Sequence, residues 1–360
     1  MTIVHVVLAA GGTGGHIEPA LNVGDALRRL DPDITISVLG GERGLEATLV
    51  PSRGYELDTV SSVPMPRRPS MDLLRLPSRL MASVRQAGQI LTRRQADVVV
   101  GFGGYAATPA YLAARRGHVP IVIHESNARA GVANRLGARF TADVFVSYAG
   151  AMRGARVMGV PLRHSIATLD RVATRPEARQ YFGLDAERPT LLVFGGSQGA
   201  QRLNAAVAGA LPSLAGAGIQ VLHSYGARND APTPAPGYVA VPFIDRMDLA
   251  YAAADLALTR AGAMTCAELA AVGLPAIYVP LPIGNGEQRL NALPVVEAGG
   301  GIVIDDAALT AEWLTETALP VLKDGDRLHT MGAAAYRHGI RDADEQLARV
   351  IQQAASGGRK

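Results

Sequence analysis

A chain of 360 residues is longer than a single hydrophobic core usually supports, so two domains are expected. Hydrophobic residues make up 48% and charged residues 19%, which excludes a disordered chain. The only cysteine, Cys266, excludes an internal disulfide and a cysteine-built zinc site and favours a reducing compartment. No apolar run is long enough to cross a bilayer, and residues 1–10 read as a strand instead of a signal peptide. We expect a cytosolic protein, or a peripheral one on the cytoplasmic side of the cell membrane.

The net charge of +3 is unevenly distributed. The first 163 residues hold 19 arginines against 12 acids, whereas the rest hold 16 basic residues against 20 acids. The stretch 64–94 contains one acid, Asp72, and seven arginines, which are Arg67, Arg68, Arg75, Arg79, Arg85, Arg93 and Arg94. This pattern indicates a surface for an anionic partner. No nucleic-acid-binding signature accompanies the arginines, so we expect an anionic membrane as the partner and no nucleic acid.

Short apolar runs alternate with helix-like segments along the chain, which predicts α/β architecture with parallel sheets. The first half has five such runs, each apolar enough for a strand buried on both faces: 3–9, 34–39, 97–102, 120–124 and 143–146. The second half has six: 190–194, 220–223, 238–243, 255–258, 276–280 and 301–304. A helix is predicted over residues 19–30 because Pro19 suits a first helical turn. Residues 159–175 read as the linker, and residues 342–355 as a terminal helix.

Each half opens with a similar unit, a strand followed by a glycine loop and a helix. Residues 3–16 give a strand and then Gly-Gly-Thr-Gly-Gly-His, and residues 191–201 give a strand and then Gly-Gly-Ser-Gln-Gly-Ala-Gln. We therefore predict two Rossmann-like domains that face each other across a cleft. The first spans residues 1–163, with a C-terminal helix at about 341–357 packing back on it, and the second spans residues 164–340.

The glycine loops allow close approach of a ligand, and the helix N-termini that follow them favour an anion. A Walker A loop needs a lysine after its glycines, and the only lysines are Lys323 and Lys360, which excludes a P-loop nucleotidase. The dinucleotide fingerprint also fails, because its third glycine would fall on Ile17 and the second strand ends in glycines instead of an acid. A diphosphate held by backbone amides, with no metal and no cofactor, is what remains.

Polar side chains at two strand ends of the first half are candidates for catalysis. His16 closes the first glycine loop, where a neutral imidazole can take up a proton; capping a helix is its alternative role. A later strand ends in His124-Glu125-Ser126-Asn127, and its carboxylate and amide suit either sugar hydroxyls or the stabilisation of their own loop.

The segment 260–291 supplies candidates in the second half. Thr265 can bond a phosphate, and Glu268 is placed on the first turn of a helix predicted over residues 267–272. There it either balances the helix dipole or accepts hydrogen bonds from the hydroxyls of a ribose. Gln288 and Asn291 are three residues apart and therefore share a helix face, and amides of this kind bind sugar hydroxyls.

Five strings occur together in one order: Gly11-Gly12-Thr13-Gly14-Gly15-His16, Gly103-Gly104-Tyr105, His124-Glu125-Ser126-Asn127, Gly195-Gly196-Ser197-Gln198-Gly199 and Gln288-Arg289-Leu290-Asn291-Ala292. From about residue 3 to residue 347 the chain closely resembles the MurG family, the N-acetylglucosaminyltransferases that convert lipid I into lipid II in peptidoglycan synthesis. The resemblance implies the GT-B fold, with an acceptor and membrane-side domain first and a domain for UDP-N-acetylglucosamine (UDP-GlcNAc) second. Partners among the proteins of cell-wall synthesis are also implied.

By the same resemblance, the uracil of the donor lies against the backbone of Ile244, and Glu268 holds the ribose. The diphosphate is held by Ser197 and Thr265 with the nearby amides of Ala263 and Met264. The remaining donor contacts implied are Arg163 on the nucleotide, Asn127 and Gln288 near the sugar, and Thr13, Gly14 and Gly15 closing over it. The chain departs from the family at Ser126, where glutamine is common, and at Glu18, where an aromatic or aliphatic residue is common.

The implied reaction is an attack of the MurNAc 4-hydroxyl of lipid I on the anomeric carbon of GlcNAc, with inversion and departure of UDP. His16 is our first choice for the general base and Glu125 our second. The backbone donors of the loop at 195–199 and the helix after it, with Arg163, are expected to stabilise the departing diphosphate.

A lipid-linked acceptor gives the arginine-rich segment 67–94 a function. An apolar stripe at helical spacing lies beside its arginines: Leu73, Leu76, Leu80 and Val84. Leu73, Leu76, Leu80 and Met81 are expected to enter the interface of an anionic membrane while the arginines meet its headgroups. A stripe that faces the protein core is the alternative, and Pro77 is expected to break or bend the helix.

Three other functions stay open from the sequence. Two are enzymes of UDP-sugars with the same fold, a glycolipid glycosyltransferase and a UDP-GlcNAc 2-epimerase. The third is a regulator that binds UDP-GlcNAc without turning it over.

Overall fold

The computed structural model describes residues 4–42, 44–61, 71–196, 199–282 and 285–357, without the side chains of residues 71–76. The chain divides into two compact units. Unit 1 is Met1–Arg163 together with Asp342–Lys360, and unit 2 is His164–Arg341.

In the described residues, unit 1 contains a sheet of seven parallel strands covered by helices. The strands are β1 (His5–Ala10), β2 (Thr35–Gly41), β3 (Glu56–Val60), β4 (Val98–Gly103), β5 (Ile121–Glu125), β6 (Val144–Val146) and β7 (Arg156–Val157). The helices are α1 (Gly14–Leu30), α2 (Glu46–Ser52), α3 (Met71–Arg94), α4 (Ala107–Gly117), α5 (Val132–Gly137) and α14 (Ala343–Gly357). The strand order is β3-β2-β1-β4-β5-β6-β7.

Unit 2 contains a sheet of six parallel strands, again counted over the residues given above. They are β8 (Thr190–Phe194), β9 (Gln220–Ser224), β10 (Tyr238–Val241), β11 (Leu256–Thr259), β12 (Ala276–Tyr278) and β13 (Gly301–Val303), in the order β10-β9-β8-β11-β12-β13. The helices are α6 (His164–Ala167), α7 (Arg171–Phe182), α8 (Gln201–Gly216), α9 (Met247–Ala253), α10 (Ala263–Val272), α11 (Glu287–Glu297), α12 (Ala311–Leu322) and α13 (Gly325–His338), and Asp306–Ala308 forms a 3-10 turn.

Both sheets have the doubly wound order in which the first strand of the unit lies at the centre. β1 pairs in parallel with β2 and β4, and β8 pairs in parallel with β9 and β11, with Thr259 opposite Phe194 at the carboxyl ends. The direction in which strands are added reverses between β1 and β4 and between β8 and β11. Ligands of open α/β sheets bind outside the carboxyl ends of the strands at such a reversal. Each unit therefore has one position that the topology favours for a ligand.

The apolar residues of the central strands alternate between two helical layers. Val6 and Leu8 pack with α1 and α14, whereas Val7 and Ala9 pack with α3 and α4. The same alternation along β8 separates α8 and α12 on one face from α9 and α10 on the other. Both faces of each sheet are buried, which is why the strands read as continuous apolar runs.

The chain returns to unit 1 through its last helix. Leu347 and Ile351 of α14 are fully buried in the same cluster as α1. The Nη2 atom of Arg29 on α1 lies 2.6 Å from Oδ2 of Asp344 on α14. An apolar seam and one ion pair therefore fasten the C-terminal helix to the first helix of the unit.

Each of the eleven predicted apolar runs contains a strand, and two strands were missed. β3 lies at the edge of its sheet, and its acids and threonine interrupt the apolar pattern with exposed positions. β7 has two exposed residues. Edge strands are buried on one side at most, so they lack the continuous apolar run by which the others were recognised.

Two helices begin earlier than predicted, and the predicted linker is partly helical. α1 begins at Gly14 and contains Pro19 as its sixth residue. α10 begins at Ala263, which places Glu268 in its second turn, so its predicted position on the first turn is wrong. Residues 159–175 contain α6 and the start of α7, which is capped by Asp170 through bonds from the N–H groups of Val172 and Ala173.

Candidate active site

Two glycine loops meet at the strand reversal of unit 1. β1 is followed by Gly11-Gly12-Thr13, and β4 ends at Gly103, which is followed by Gly104. A Cβ atom on Gly104 would lie 2.0 Å from the carbonyl oxygen of Gly11, and one on Gly103 would lie 3.1 Å from the imidazole of His16. Both glycines also have positive φ angles. Glycine is therefore required here by backbone conformation and by close packing.

His16 was predicted to close the first glycine loop. In the structure it is the third residue of α1, so it lies in the first turn of the helix that follows the loop. Its Nδ1 atom lies 3.2 Å from the carbonyl oxygen of Gly11 and 3.1 Å from the hydroxyl of Thr13. Because a carbonyl oxygen only accepts, Nδ1 carries the proton and donates it to Gly11. This tautomer makes Nε2 the basic nitrogen.

The charge state of His16 is set by opposing effects. Burial lowers the pKa of His16 below 6.5, whereas the negative charges of Glu125 and Glu46 and the hydrogen bond to Gly11 act in the opposite direction. Because the effect of burial is the largest, the imidazole is neutral at pH 7. A neutral imidazole with a basic Nε2 is the form that a general base requires.

The N-terminus of α1 is not capped by a side chain. Thr13 at the N-cap has extended backbone angles, and its hydroxyl lies against His16 instead of the first amides of the helix. Thr13 and Gly15 are exposed, and Gly14 is half-buried. The N–H groups of His16 and Ile17 donate to the carbonyl oxygen of Thr13, so the amides of Gly14 and Gly15 are the ones that the start of this helix offers to a ligand.

Glu125 organises its own loop with both carboxylate oxygens. Oε1 accepts from the backbone N–H and the side-chain amide of Asn127, at 3.0 and 3.4 Å. Oε2 accepts from the N–H of Gly131 and from Nδ2 of Asn134, at 2.9 and 3.0 Å. The residue is 2% exposed. Of the two roles left open for this carboxylate, the geometry supports stabilisation of the loop, which fixes Asn127 in a half-buried position.

Glu46, the first residue of α2, was missed by the sequence analysis. It is 1% exposed, and its Oε1 accepts from the N–H groups of Gly12 and Gly41, at 3.0 and 3.2 Å. The carboxylate thus lies directly behind the first glycine loop. The glycines at the end of β2 could have indicated in the sequence that another side chain packs against this strand end. A Cβ on Gly40 would lie 2.8 Å from Cγ of Glu46.

In unit 2, a cavity of about 900 Å³ opens at the strand reversal between β8 and β11. The residues around it come from the loops after these strands and from the helices that follow, including Gly195, Gly199, Thr259, Arg260, Thr265 and Gln288. Ala200 at the N-cap of α8 and Gly262 at the N-cap of α10 give no side-chain cap. Two uncapped helix N-termini at one cavity favour an anionic ligand.

The glycines of the second loop are held by close contacts of their own. A Cβ on Gly195 would lie 2.4 Å from Cβ of Ala200, and one on Gly199, which has a φ of +70°, would lie 2.2 Å from the carbonyl oxygen of Tyr225. Ser197, a predicted diphosphate contact, lies outside the described residues.

Gln288 and Asn291 share a face of α11, as predicted, and both contact Ala261. Oε1 of Gln288 accepts from the N–H groups of Ala261 and Leu281, at 3.2 and 2.9 Å. Nδ2 of Asn291, which is 1% exposed, donates to the carbonyl oxygen of Ala261 at 3.3 Å. These bonds orient the side chain of Gln288, which lines the cavity, with its oxygen on the protein and its amide nitrogen as the remaining donor.

The residues predicted around the nucleoside are positioned differently from one another. Glu268 is half-buried, and its Oε2 accepts from the hydroxyl of Tyr251 at 2.7 Å. The side chain of Ile244 is 4% exposed and packs in the core, so it is not available to a ligand. Ala263 and Met264 form the first turn of α10 ahead of Thr265.

Three charged residues at the cavity were not singled out from the sequence. Asp306 bridges two arginines, with its oxygens 2.6 Å from Nη1 of Arg260 and 2.9 Å from Nε of Arg202. Nε of Arg260 is buried and has no hydrogen-bond partner within the described part of the chain. Arg260 could have been found from the sequence, because it follows immediately after β11. Its pairing with Asp306 could not, because the two residues are 46 positions apart.

Arg163, predicted to contact the nucleotide, forms an ion pair within unit 1. Its Nη2 lies 2.7 Å from Oε1 of Glu18, and its Nε lies 3.3 Å from Oε2. The other departure from the family, Ser126, is 3% exposed, and its hydroxyl lies 3.5 Å from Nδ1 of His124.

Helix α3 carries the described part of the arginine-rich segment, and it continues through Pro77, so the helix is not broken there; of the two expected effects of this proline, only a bend remains. Val84 is buried in the core of unit 1 and Leu80 packs against that core, so here the stripe faces inward, as in the alternative interpretation. Arg93 and Arg94 both pair with Asp58. The exposed face presents Arg79, Arg85 and Met81. Arg67 and Arg68, and the side chains of Leu73, Arg75 and Leu76, lie outside the described residues.

The fold is that of a GT-B glycosyltransferase, and sequence comparison gives the family. The glycosyltransferase family 28 N-terminal domain matches residues 6–146, and the glycosyltransferase family 28 C-terminal domain matches residues 190–347. The chain belongs to glycosyltransferase family 28, and within it to the MurG family.

Relatives match over nearly the whole chain. The UDP-N-acetylglucosamine--N-acetylmuramyl-(pentapeptide) pyrophosphoryl-undecaprenol N-acetylglucosamine transferase of Streptomyces avermitilis is 60% identical over 357 residues, 98% of each chain. The enzyme of the same name from Mycolicibacterium smegmatis is 57% identical over 368 residues, which cover 99% of this chain and 96% of the relative.

Solved structures agree with this assignment. The crystal structure of Acinetobacter baumannii MurG is 29% identical with a TM-score of 0.78, covering 97% of this chain and 99% of that one. The calicheamicin glycosyltransferase CalG4 covers 100% of both chains with a TM-score of 0.69 at 19% identity, and so supports the fold alone. None of the helices in the described residues is both long enough and apolar enough to span a membrane.

Proposed function

We infer that this protein transfers GlcNAc from UDP-GlcNAc to the MurNAc 4-hydroxyl of lipid I, forming lipid II for peptidoglycan synthesis. The observation that carries this function is the 57–60% identity, over nearly the whole chain, to transferases of that name. Identity at this level covers both glycine loops and the segments around them.

The cavity of unit 2 is our proposed donor site. Thr265, the amides at the start of α10 and the uncapped N-terminus of α8 bind the diphosphate, and Ser197 is assigned there by family resemblance. Arg260, with a buried Nε that lacks a partner in the described residues, adds a positive charge where the diphosphate leaves. Gln288 donates its amide nitrogen to the sugar, Glu268 accepts from the ribose hydroxyls, and the backbone of Ile244 meets uracil.

In unit 1, His16 is our proposed general base. Its Nε2 accepts the proton of the MurNAc 4-hydroxyl as that oxygen forms the bond to the anomeric carbon, while the bond from this carbon to the diphosphate breaks and UDP departs. Glu125 acts indirectly, because two of its four hydrogen bonds hold Asn127 and its charge favours the imidazolium that forms. Thr13, Gly14 and Gly15 supply donors beside the base.

A UDP-release assay with lipid I and a panel of UDP-sugars tests the function. We expect release of UDP from UDP-GlcNAc in the presence of lipid I, together with a disaccharide lipid. UDP-ManNAc as the product would mean an epimerase, and a glycolipid without MurNAc a different transferase. Binding of UDP-GlcNAc without release of UDP to authentic lipid I would mean a sensor.

We also propose that the exposed face of α3 attaches the protein to the cytoplasmic side of the membrane. Arg79 and Arg85 meet anionic headgroups, and Met81, 42% exposed, enters the interface. Arg93 and Arg94 are excluded from this surface because they pair with Asp58.

Vesicle sedimentation tests the membrane surface. The triple change of Arg75, Arg79 and Arg85 to Ser is expected to weaken binding to anionic vesicles by roughly 150-fold, at about 1 kcal/mol per arginine and about 3 kcal/mol in all. Added salt is expected to weaken wild-type binding. The matched control replaces Lys323, Arg327 and Arg337, which are exposed in unit 2. If the two triple variants bind equally well, α3 is ordinary protein surface.

A further inference from the structure

The last residues of unit 1, just before the chain enters unit 2, are held at alternate positions. The carbonyl oxygen of Gly159 accepts from Nε2 of His124 at 2.8 Å, and that of Pro161 accepts from Nδ2 of Asn22 at 3.0 Å. His124 is fully buried and Asn22 is 1% exposed. The third attachment is the ion pair of Arg163, the last residue before the chain enters unit 2.

The ion pair has two-point geometry. Nη2 and Nε of Arg163 face Oε1 and Oε2 of Glu18, at 2.7 and 3.3 Å, so one edge of the guanidinium lies along the carboxylate. The side chain of Glu18 is 18% exposed and that of Arg163 is 37% exposed. A fork of this kind fixes the plane of the guanidinium as well as its position, which a single contact does not.

Glu18 is itself held by a second arginine. Nη1 of Arg53 lies 3.4 Å from Oε2 of Glu18, and Nη2 of Arg53 contacts both Asn22 and Asp25. Asn22 is the residue that also holds Pro161. One network on α1 therefore fixes both the backbone and the terminal side chain of the segment that leads out of unit 1.

We propose that Glu18 is a positioning residue for donor binding, which holds the Arg163 guanidinium in one fixed orientation for its contact with the nucleotide. The proposal rests on the proposed function and on the family resemblance, which implies that Arg163 contacts the nucleotide of the donor. Glu18 itself touches no substrate and acts only through Arg163.

The reason for such a residue is the flexibility of arginine. An unattached arginine must be ordered when the donor binds, and ordering one such side chain weakens binding by roughly three- to tenfold. Because Glu18 already orders Arg163 in the free protein, binding of the donor does not have to supply the free energy for ordering this side chain. Because the effect is equal for the bound donor and the transition state, we expect it in KM and in the Kd for UDP, with kcat little changed.

A double-mutant cycle tests the proposal with two readouts: the Kd for UDP by calorimetry, and KM and kcat for UDP-GlcNAc with lipid I. Glu18→Gln keeps the shape and removes the charge, and it is expected to raise Kd and KM about three- to tenfold. Arg163→Ala raises both as well. In the Arg163→Ala background, Glu18→Gln is expected to have no further effect, because there is no guanidinium left to position.

Two further variants secure the interpretation. Arg163→Lys keeps the charge but cannot form the two-point contact with Glu18. It is expected to raise Kd and KM as much as Glu18→Gln does, and adding Glu18→Gln to it is expected to cause no further rise. Asp344→Asn breaks the pair between α14 and Arg29, which lies on the same helix as Glu18, and is expected to lower the melting temperature without changing Kd for UDP. It is the control for a general loss of stability.

The outcomes separate the two claims. If Arg163→Ala leaves Kd and KM unchanged, Arg163 is no donor contact, and the role that the family resemblance implies for this residue fails. If Arg163→Ala weakens binding but Glu18→Gln does not, or does so equally in both backgrounds, the positioning role of Glu18 is refuted. Tighter binding in Glu18→Gln also refutes it, since Glu18 would then compete with the diphosphate for Arg163.

Discussion

Replacement of His16 by alanine separates catalysis from folding and binding. The change removes the hydrogen bond from Nδ1 to the carbonyl oxygen of Gly11, which is worth about 1 kcal/mol of stability. Loss of a general base lowers kcat by about 10²- to 10⁴-fold, which corresponds to about 3–5 kcal/mol in the activation barrier. The effect on turnover therefore exceeds the effect on stability by several-fold, and the affinity for UDP is expected to be unchanged.

The pH dependence gives an independent check. A base works only when it is deprotonated, so wild-type kcat/KM is expected to fall as the pH drops through the pKa of His16, which burial holds below 6.5. That acid limb is expected to disappear in His16→Ala. Turnover is followed by UDP release from pH 5 to 9, and exposed His329 on α13 supplies the control His329→Ala. A His16→Ala enzyme that keeps turnover within threefold of wild type, with its acid limb intact, would refute the assignment.

Two further predictions concern buried groups. Glu125→Gln replaces a carboxylate oxygen by an amide NH2 that faces two N–H donors, so we expect unit 1 to lose about 3 kcal/mol of folding stability. The acid limb of the pH profile of kcat/KM is expected to remain. An unchanged melting temperature in calorimetry, together with loss of that limb, would make Glu125 the base. Burial lowers the pKa of His124 and of His223 to about 4, so between pH 6.5 and 4 only the unfolded chain takes up their protons. As the pH falls from 6.5 to 4, the free energy of unfolding is expected to decrease by about 3 kcal/mol for each histidine, at 1.36 kcal/mol per pKa unit. The measurement is urea unfolding of His124→Gln and His223→Gln. If these variants are as acid-sensitive as wild type, the two histidines are not the cause of the acid sensitivity.

The sequence predicted what depends on neighbours in the chain. The inner strands were recognised because a strand buried on both faces must be apolar throughout, and the glycine loops because close backbone contacts exclude a Cβ. The starts of α1 and α10 were placed too late because their first turns, Gly14-Gly15-His16 and Ala263-Met264-Thr265, show no apolar helical periodicity. Here the surrounding packing, not local propensity, decides where the helix begins.

The groups that were missed depend on residues distant in the chain. Glu46 reaches the amide of Gly12, 34 positions away, and Asp306 reaches Arg260 across 46 positions. The partner of Arg163 is 145 positions away. A single sequence shows an acid and a base but not their pairing, so these contacts become visible only when the sheet brings the loops to one edge.

The two units use the same strand order for opposite electrostatic purposes. Behind the glycine loops of unit 1 lie the buried carboxylates of Glu46 and Glu125, whose charges favour uptake of a proton by His16. At the equivalent edge of unit 2 lie Arg260 and the uncapped start of α8, which favour an anion. Glycosyl transfer releases a proton from the acceptor hydroxyl and leaves negative charge on the diphosphate, so it requires both kinds of site. A shared fold alone does not determine which reactant each unit receives. We propose that the buried carboxylates of unit 1 and the uncapped helix N-termini of unit 2 distinguish the acceptor side from the donor side.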